Sequence, residues 1–473
     1  MNDIANQGLR GSVGVTGIVF LVVAAAAPLT VIGGALPVMI ALGNGAGSPT
    51  AFLVAAAVLL VFSVGYAAMS KHMVDAGAFY AYVREGLGGR WGLGAAGLAL
   101  LAYTAIQAAI YGLAASAVQG LVVDYGGPRL PWFLYALALI AIVAVLGYCN
   151  IELGAKVLGV LLVVEIGIIL VLSAAVFIRG GAHGIDAVSF TPPVFLGGSP
   201  GIALMFAIAS FVGFEGTAIY SEEARDPKRT VPLSTYAAVL VIGVVYAIAS
   251  WAMVLAFGSD EVAAAAGADP SGLAFTAAGK FLGPFAVDVM RIMLITSLFA
   301  ALLAFHNAIS RYLHVLARDG HGPRALSRTH PRHGSPHRGS VTQTASALLV
   351  VGAFALAGAD PVLQLFTWLS GLATIAILIL MLLTSIAVIT FFARTRLDRR
   401  VWHTRIAPVL GAFGLLAVAV TVVANFTTLV GSARAANVLL FIVVAVFLLG
   451  MVSAKIRPHP APVGLAASAD TAG

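Results

Sequence analysis

Charge is scarce in this chain. Only 10% of its 473 residues are Asp, Glu, Lys or Arg, 60% are hydrophobic, and the mean hydropathy is +1.02. A soluble domain of this length needs a charged surface, so the shortage excludes a chain solvated by water alone. Cysteine is scarcer still. Cys149 stands alone, which excludes an internal disulfide or a cysteine metal centre and leaves a packed or loop thiol. Catalytic patterns are missing too: no nucleophile with its base, metal triad or cofactor loop stands at a readable spacing, which argues against an enzyme. A nucleic-acid partner is not expected either. The net charge of +7 comes from short basic clusters between apolar runs rather than from one patch or arm.

What the chain does have is long apolar runs. A helix needs about 20 apolar residues to cross the hydrocarbon layer, and runs such as 51–70 and 158–178 meet that length. Twelve windows qualify: 17–42, 51–70, 92–122, 132–148, 156–178, 202–220, 235–257, 281–310, 341–357, 363–392, 406–428 and 436–454. The fold class expected is therefore an all-α polytopic membrane protein with twelve spans and the lipid bilayer as its main partner. The first window is too long for a signal-peptide core and reads as a retained helix.

With twelve spans both termini share a side. Twenty-one of the 26 basic residues follow even-numbered spans, precede span five or lie in the termini; the largest groups are Arg311 to Arg338 and Arg394 to Arg405. Only Arg129, Arg179, Lys280, Arg291 and Arg434 fall on the other side. The positive-inside rule then places both termini in the cytoplasm, in the cell membrane. The loop after span eight also holds His314, His321, His330, His333 and His337. Without carboxylates or cysteines at ligand spacing it reads as a basic loop facing anionic headgroups, and no metal site is expected.

Two windows are interrupted. Span one contains Ala27-Pro-Leu-Thr-Val-Ile-Gly-Gly34, where proline removes a backbone donor and glycine weakens the helix. Span six contains Phe211-Val-Gly-Phe-Glu-Gly216. Secondary transporters are often built from repeats whose matching helices are broken at mid-membrane. Spans one and six lie five apart, and an odd repeat inserts its second copy upside down. The expected organisation is a cytoplasmic segment 1–16, repeat one over 17–178, repeat two over 202–392, two appended helices over 406–454 and a cytoplasmic tail 455–473.

The stretch Phe211-Val-Gly-Phe-Glu-Gly-Thr-Ala-Ile-Tyr-Ser-Glu-Glu-Ala-Arg-Asp-Pro-Lys-Arg-Thr-Val-Pro232 resembles the sixth helix and following loop of the amino acid–polyamine–organocation permeases. Ala76-Gly-Ala-Phe-Tyr-Ala-Tyr82 and Asn307-Ala-Ile-Ser-Arg-Tyr-Leu-His-Val-Leu-Ala-Arg-Asp-Gly320 support the match, and the span spacing agrees over about residues 15–455. The resemblance implies a core of ten helices in two inverted halves. It also implies transport of an amino acid or related amine, driven by protons or by exchange. At the first break many relatives carry a glycine-serine-glycine type sequence, which this chain lacks.

An amino acid brings a carboxylate and an ammonium, and both need partners once stripped of water. Backbone N–H groups at the start of a half-helix suit the carboxylate, and carbonyls freed by unwinding suit the ammonium. The substrate-binding candidates are therefore Pro28, Leu29, Thr30, Val31, Ile32, Gly33 and Gly34, with Phe211, Val212, Gly213 and Phe214. One of the two phenylalanines is expected to cover the substrate, the other to face lipid; Tyr103 and Trp368 are further pocket candidates. Packing is the alternative role of the glycines.

Coupling is expected at acids inside apolar runs, because such residues are costly in lipid. Glu215 lies beside the second break and matches the family's acidic residue; it either couples the break to a proton or gate, or bonds loose backbone. Glu165 lies mid-way along span five, where some proton-coupled relatives place a lysine. A carboxylate there either carries the proton or helps hold a cation with Thr296, Ser297 or Asn307. Glu222, Glu223, Arg225 and Asp226 are expected to form an ion-paired inner cap. No resident cofactor is expected; the coupling ion is a proton, with sodium as the alternative, and the oligomeric state is left open, a monomer included. A symporter is the leading reading, with an exchanger as the alternative and a channel behind both.

Overall fold

The computed structural model describes residues 14–73, 78–149, 155–219 and 224–456. The terminal segments with Arg10 and Arg457, the Ala76-Gly77 start of one motif, and Glu222 and Glu223 lie outside the described residues. Among the described residues the structure is helical, without a strand.

Among the described residues ten helices are long and apolar enough to cross a membrane: Val15–Leu42, Gly45–Ser70, Gly89–Asp124, Gly159–Arg179, Pro227–Phe257, Pro284–Arg318, His337–Leu356, Pro361–Thr395, Trp402–Val430 and Ala433–Ser453. The fourth and sixth windows hold shorter apolar helices. Trp132–Tyr148 has 17 residues and Pro200–Ala209 has 10, so their rises are about 25 and 15 Å.

Local chemistry sets many of the boundaries. Proline opens helices at Pro200, Pro227, Pro284 and Pro361, where a missing N–H costs nothing. The window expected over 281–310 is divided by such a signal. Gly283, at φ +89°, ends Leu273–Leu282, and Pro284 starts a separate helix that runs on to Arg318 past the apolar stretch.

The helices differ in how deeply they sit. In Pro361–Thr395, 78% of the most apolar stretch is buried, against 11% in Ala433–Ser453, so the former is a core helix and the latter peripheral. Lipid supplies no hydrophobic drive between helices, so close packing relies on small residues. Gly86 illustrates this: a Cβ there would collide with Ala387, and Thr390 Oγ1 donates to the Gly86 carbonyl at 2.8 Å. The amphipathic helix Ala78–Leu87 is thereby held against the core helix.

Candidate functional site

The first interruption falls at Ala26 and Ala27. Helix Val15–Ala25 ends there, and Ala27 takes a left-handed conformation, φ +46° and ψ +70°. Pro28 explains the position: it disfavours the right-handed helical region in the residue before it and donates no N–H of its own. A left-handed alanine costs on the order of 1–3 kcal/mol. Helix resumes at Pro28–Thr30, widens to a π-turn over Val31–Ala35 and continues as Leu36–Leu42. Pro28, Leu29, Thr30, Val31, Ile32, Gly33 and Gly34 are all buried and helical, so the kink lies at the first residue of the expected stretch, Ala27, rather than through it.

Glu165 meets this restart. It comes from helix Ala155–Arg179 and is 4% exposed. Its Oε2 accepts from Ser297 Oγ at 3.0 Å and, in a long contact of 3.5 Å, from the Leu29 amide. The Thr30 hydroxyl lies 3.3 Å from Ser297 Oγ. A buried carboxylate needs donors to replace water, and here they come from the first interruption and from helix Pro284–Arg318. Thr296 and Asn307 stand apart from this group. Thr296 Oγ1 donates to Met293 O of its own helix, and Asn307 lies ten residues beyond Ser297, about 15 Å along the axis.

The second interruption runs over Ser210 to Glu215, between helices Pro200–Ala209 and Gly216–Ile219. It is not open coil. The amides of Phe211, Val212, Phe214, Gly216 and Thr217 each donate to the carbonyl three residues back, at 2.9–3.2 Å. Gly213 breaks the series with φ +111°, a conformation that L side chains rarely adopt. Its amide donates instead to Glu215 Oε2 at 2.9 Å, and Tyr103 donates its hydroxyl to Oε1 at 3.0 Å. Glu215 is 3% exposed, so it bonds the loose backbone of its own turn.

Neither break phenylalanine faces lipid, contrary to the expected division between them: Phe211 and Phe214 are both buried. Phe214 packs against Phe62, Tyr66 and Phe79. Phe211 packs against Tyr246. Two tyrosines not anticipated from the sequence anchor the backbone here. Tyr66 donates to the Glu215 carbonyl and Tyr246 to the Ala26 carbonyl, both at 3.1 Å. A phenol inside an apolar run is the signal that could have found them, because its hydroxyl needs a partner when buried. The motif residues Phe79 and Tyr82 pack on Tyr66, so that motif supports the second interruption.

Val212 is buried beside Gly213, and half-buried Trp368 packs on Phe354. His306 bonds Ser340 at 2.8 Å. In the basic loop, His330 and His337 meet the Tyr148 ring edge-on and His333 lies against His330, and among the described residues no group of histidines, cysteines and acids is placed to hold a metal ion. Outside the spans, the Arg400 guanidinium holds the Asp398 carboxyl down at about 2.

Long apolar helices packed around two buried carboxylates are the build of a multi-pass membrane protein. The amino acid permease family model matches residues 13–449, and the chain belongs to that family. Among its relatives, the low-affinity putrescine importer PlaP of Escherichia coli is 24% identical over 309 residues, covering 64% of this chain and 66% of the importer. An uncharacterized transporter of Mycobacterium tuberculosis is 28% identical over 316 residues, covering 65% of each. The branched-chain amino acid permease BcaP of Lactococcus lactis is 27% identical over 329 residues, covering 66% of this chain and 69% of the permease. The chain thus spans slightly less than two thirds of the first two relatives' length.

Proposed function

We propose that this protein is a secondary transporter that moves an amino acid or related amine across the cell membrane by alternating access, coupled to protons as a symporter. The observation that carries this reading is the pair of buried carboxylates, one at each interruption: Glu165 on Leu29 and Ser297, Glu215 on Gly213 and Tyr103. Names of relatives that import putrescine or carry branched-chain amino acids support the cargo class. The ten long helices, with Trp132–Tyr148 and the Pro200–Ala209 region added, make twelve spans arranged as two inverted halves of five and two appended helices. Both termini lie in the cytoplasm.

Glu165 is the proton-coupling group in this scheme. Its bond to Ser297 and its contact with Leu29 join three helices, so gaining a proton loosens the first interruption from helix Pro284–Arg318. Glu215 holds the second interruption, and the substrate lies between the two. No resident cofactor is required; the ion that moves is the proton.

Uptake into liposomes tests this. An inward proton gradient should drive accumulation in the wild type, and Glu165→Gln should keep counterflow while losing the response to the gradient. Fully gradient-driven uptake by Glu165→Gln removes Glu165 from coupling. Absence of counterflow in the wild type favours a channel. A reporter fused after Gly473 that proves extracellular overturns the orientation.

A further inference from the structure

The segment Arg394-Thr-Arg-Leu-Asp-Arg-Arg-Val-Trp-His-Thr-Arg-Ile406 joins the core helix Pro361–Thr395 to Trp402–Val430. Because it runs from one span directly into the next, it stays at the membrane surface. It holds five arginines and a single acid. That acid is already engaged: Asp398 lies 2.6 Å from the Arg400 guanidinium and also accepts from the Arg400 amide. Arg394, Arg396, Arg399 and Arg405 are exposed, and among the described residues none of the four has a carboxylate partner. Arg396 takes the left-handed cap of the core helix, φ +53°, a position that glycine fills with least strain.

Positive charge gathers here from other helices too. The His72 ring, just past helix Gly45–Ser70, lies 5.7 Å from Phe392 and 6.5 Å from Phe391 at the end of the core helix. Burial holds its imidazole below the ordinary range; Lys228, Lys71 and Arg400 push the same way, and Asp398 pushes against them. Cations from three parts of the chain thus share one corner of the molecule.

The apolar surface beside these charges separates the segment from a solvated loop. Leu397 is 59% exposed, Val401 54%, Trp402 48% and Ile406 44%. The other arginine-rich loop, over 319–336, exposes no large hydrophobic residue and folds onto the end of Trp132–Tyr148, with Ser335 donating to the Tyr148 carbonyl at 2.7 Å. Arginines beside exposed leucine and tryptophan match the depth profile of a bilayer surface. Apolar side chains enter the acyl boundary there, and guanidinium groups meet phosphates. A soluble anion gains nothing from Leu397 and Trp402.

We infer that segment 394–406 is a binding site for the phosphodiester headgroup of an anionic phospholipid in the cytoplasmic leaflet, with Arg396, Arg399 and Arg405 meeting the phosphate and Leu397 and Trp402 lying among the acyl chains. Only the choice of leaflet rests on the orientation proposed above; the lipid class depends on neither cargo nor coupling ion.

Brominated lipids quench tryptophan on contact, so Trp402 reports on its own neighbours. The full-length protein is placed in vesicles of mixed phosphatidylglycerol and phosphatidylcholine with one or the other brominated. The Trp402 signal is the difference between wild type and Trp402→Phe. Phosphatidylglycerol should be enriched at Trp402 over its bulk share. The triple variant Arg396→Gln, Arg399→Gln, Arg405→Gln should remove that enrichment, at roughly fivefold in relative affinity per arginine. A second triple variant in the other loop, Arg324→Gln, Arg328→Gln, Arg332→Gln, should leave it unchanged. Equal quenching by the two lipids in the wild type overturns the inference. So does an enrichment that survives the first triple variant or falls equally with the second. Inorganic phosphate should displace the lipid no better than chloride at the same ionic strength; specific displacement overturns the lipid assignment in favour of a soluble phosphate. The substituted side chains are all exposed, and the wild-type comparison stands by itself if a variant fails to fold.

Discussion

The two interruptions are held by different means. At the second, the acid that holds the turn lies two residues along the same chain: Glu215 reaches back to the Gly213 amide. At the first, the acid comes from 136 residues away, when Glu165 faces Leu29 from another helix. Their backbones differ in the same way. The second uses a glycine at φ +111°, the first an alanine forced to φ +46° before a proline. One turn is closed by its own acid, with Tyr103 and Tyr66 bonding that residue from outside, and the other depends on an acid from another helix.

That difference sets the order of the expected effects. Gly213→Ala should be the most damaging, because a Cβ at φ +111° costs about 1–3 kcal/mol and resets the tight turns around it. A fall in melting temperature with loss of counterflow checks this, and an unchanged melting curve would show that the turn does not depend on its glycine. Next come two double-mutant cycles read by chemical or thermal unfolding. Glu165→Ala with Ser297→Ala, and Glu215→Ala with Tyr103→Phe, should each couple by about 0.5–3 kcal/mol. The crossed pair Ser297→Ala with Tyr103→Phe should add within roughly 0.5 kcal/mol; strong coupling there would erase the distinction between two separate anchors.

Ala27→Gly sharpens the comparison from the other side. Glycine relieves the left-handed strain but adds unfolded-state entropy, so stability should change by less than about 1 kcal/mol. A large loss would mean that the Ala27 methyl itself packs the kink. The smallest effect is expected outside the membrane, where Asp398 closes its loop as Glu215 does, accepting from the Arg400 amide two residues on at 2.9 Å. Its carboxyl is held at about 2 against an ordinary 3.8 by Arg400. The stabilisation is therefore complete above about pH 4 and is lost as pH falls toward 2. Asp398→Asn should lower the melting temperature slightly at neutral pH, and the gap should close in acid. Arg400 is 54% exposed, so solvent screening keeps the effect small.

The same contrast explains what was legible in the sequence. Helix was legible because apolar runs of bilayer length and prolines at helix starts are local signals, and the all-helical architecture follows from them. The second interruption was legible down to Gly213 for the same reason. The first was drawn too long: it began at Ala27, where the kink lies, but ran on to the glycines at 33 and 34, which sit in a π-turn and at its packing surface. Ser297 was named beside Glu165 only as one of three polar neighbours. Which of the three turns inward depends on helix rotation, and the hydropathy of the run does not encode it. Tyr66 and Tyr246 escaped notice because a hydroxyl's partner 149 or 220 residues away leaves no mark on local periodicity.

Tyr246 carries one further consequence. Its hydroxyl holds the Ala26 carbonyl while its ring rests on Phe211, 6.4 Å between centroids. The tyrosine belongs to helix Pro227–Phe257, so one side chain of that helix bonds the backbone of the first kink and packs on a ring of the second. A substitution at Tyr246 therefore reaches both kinks at once.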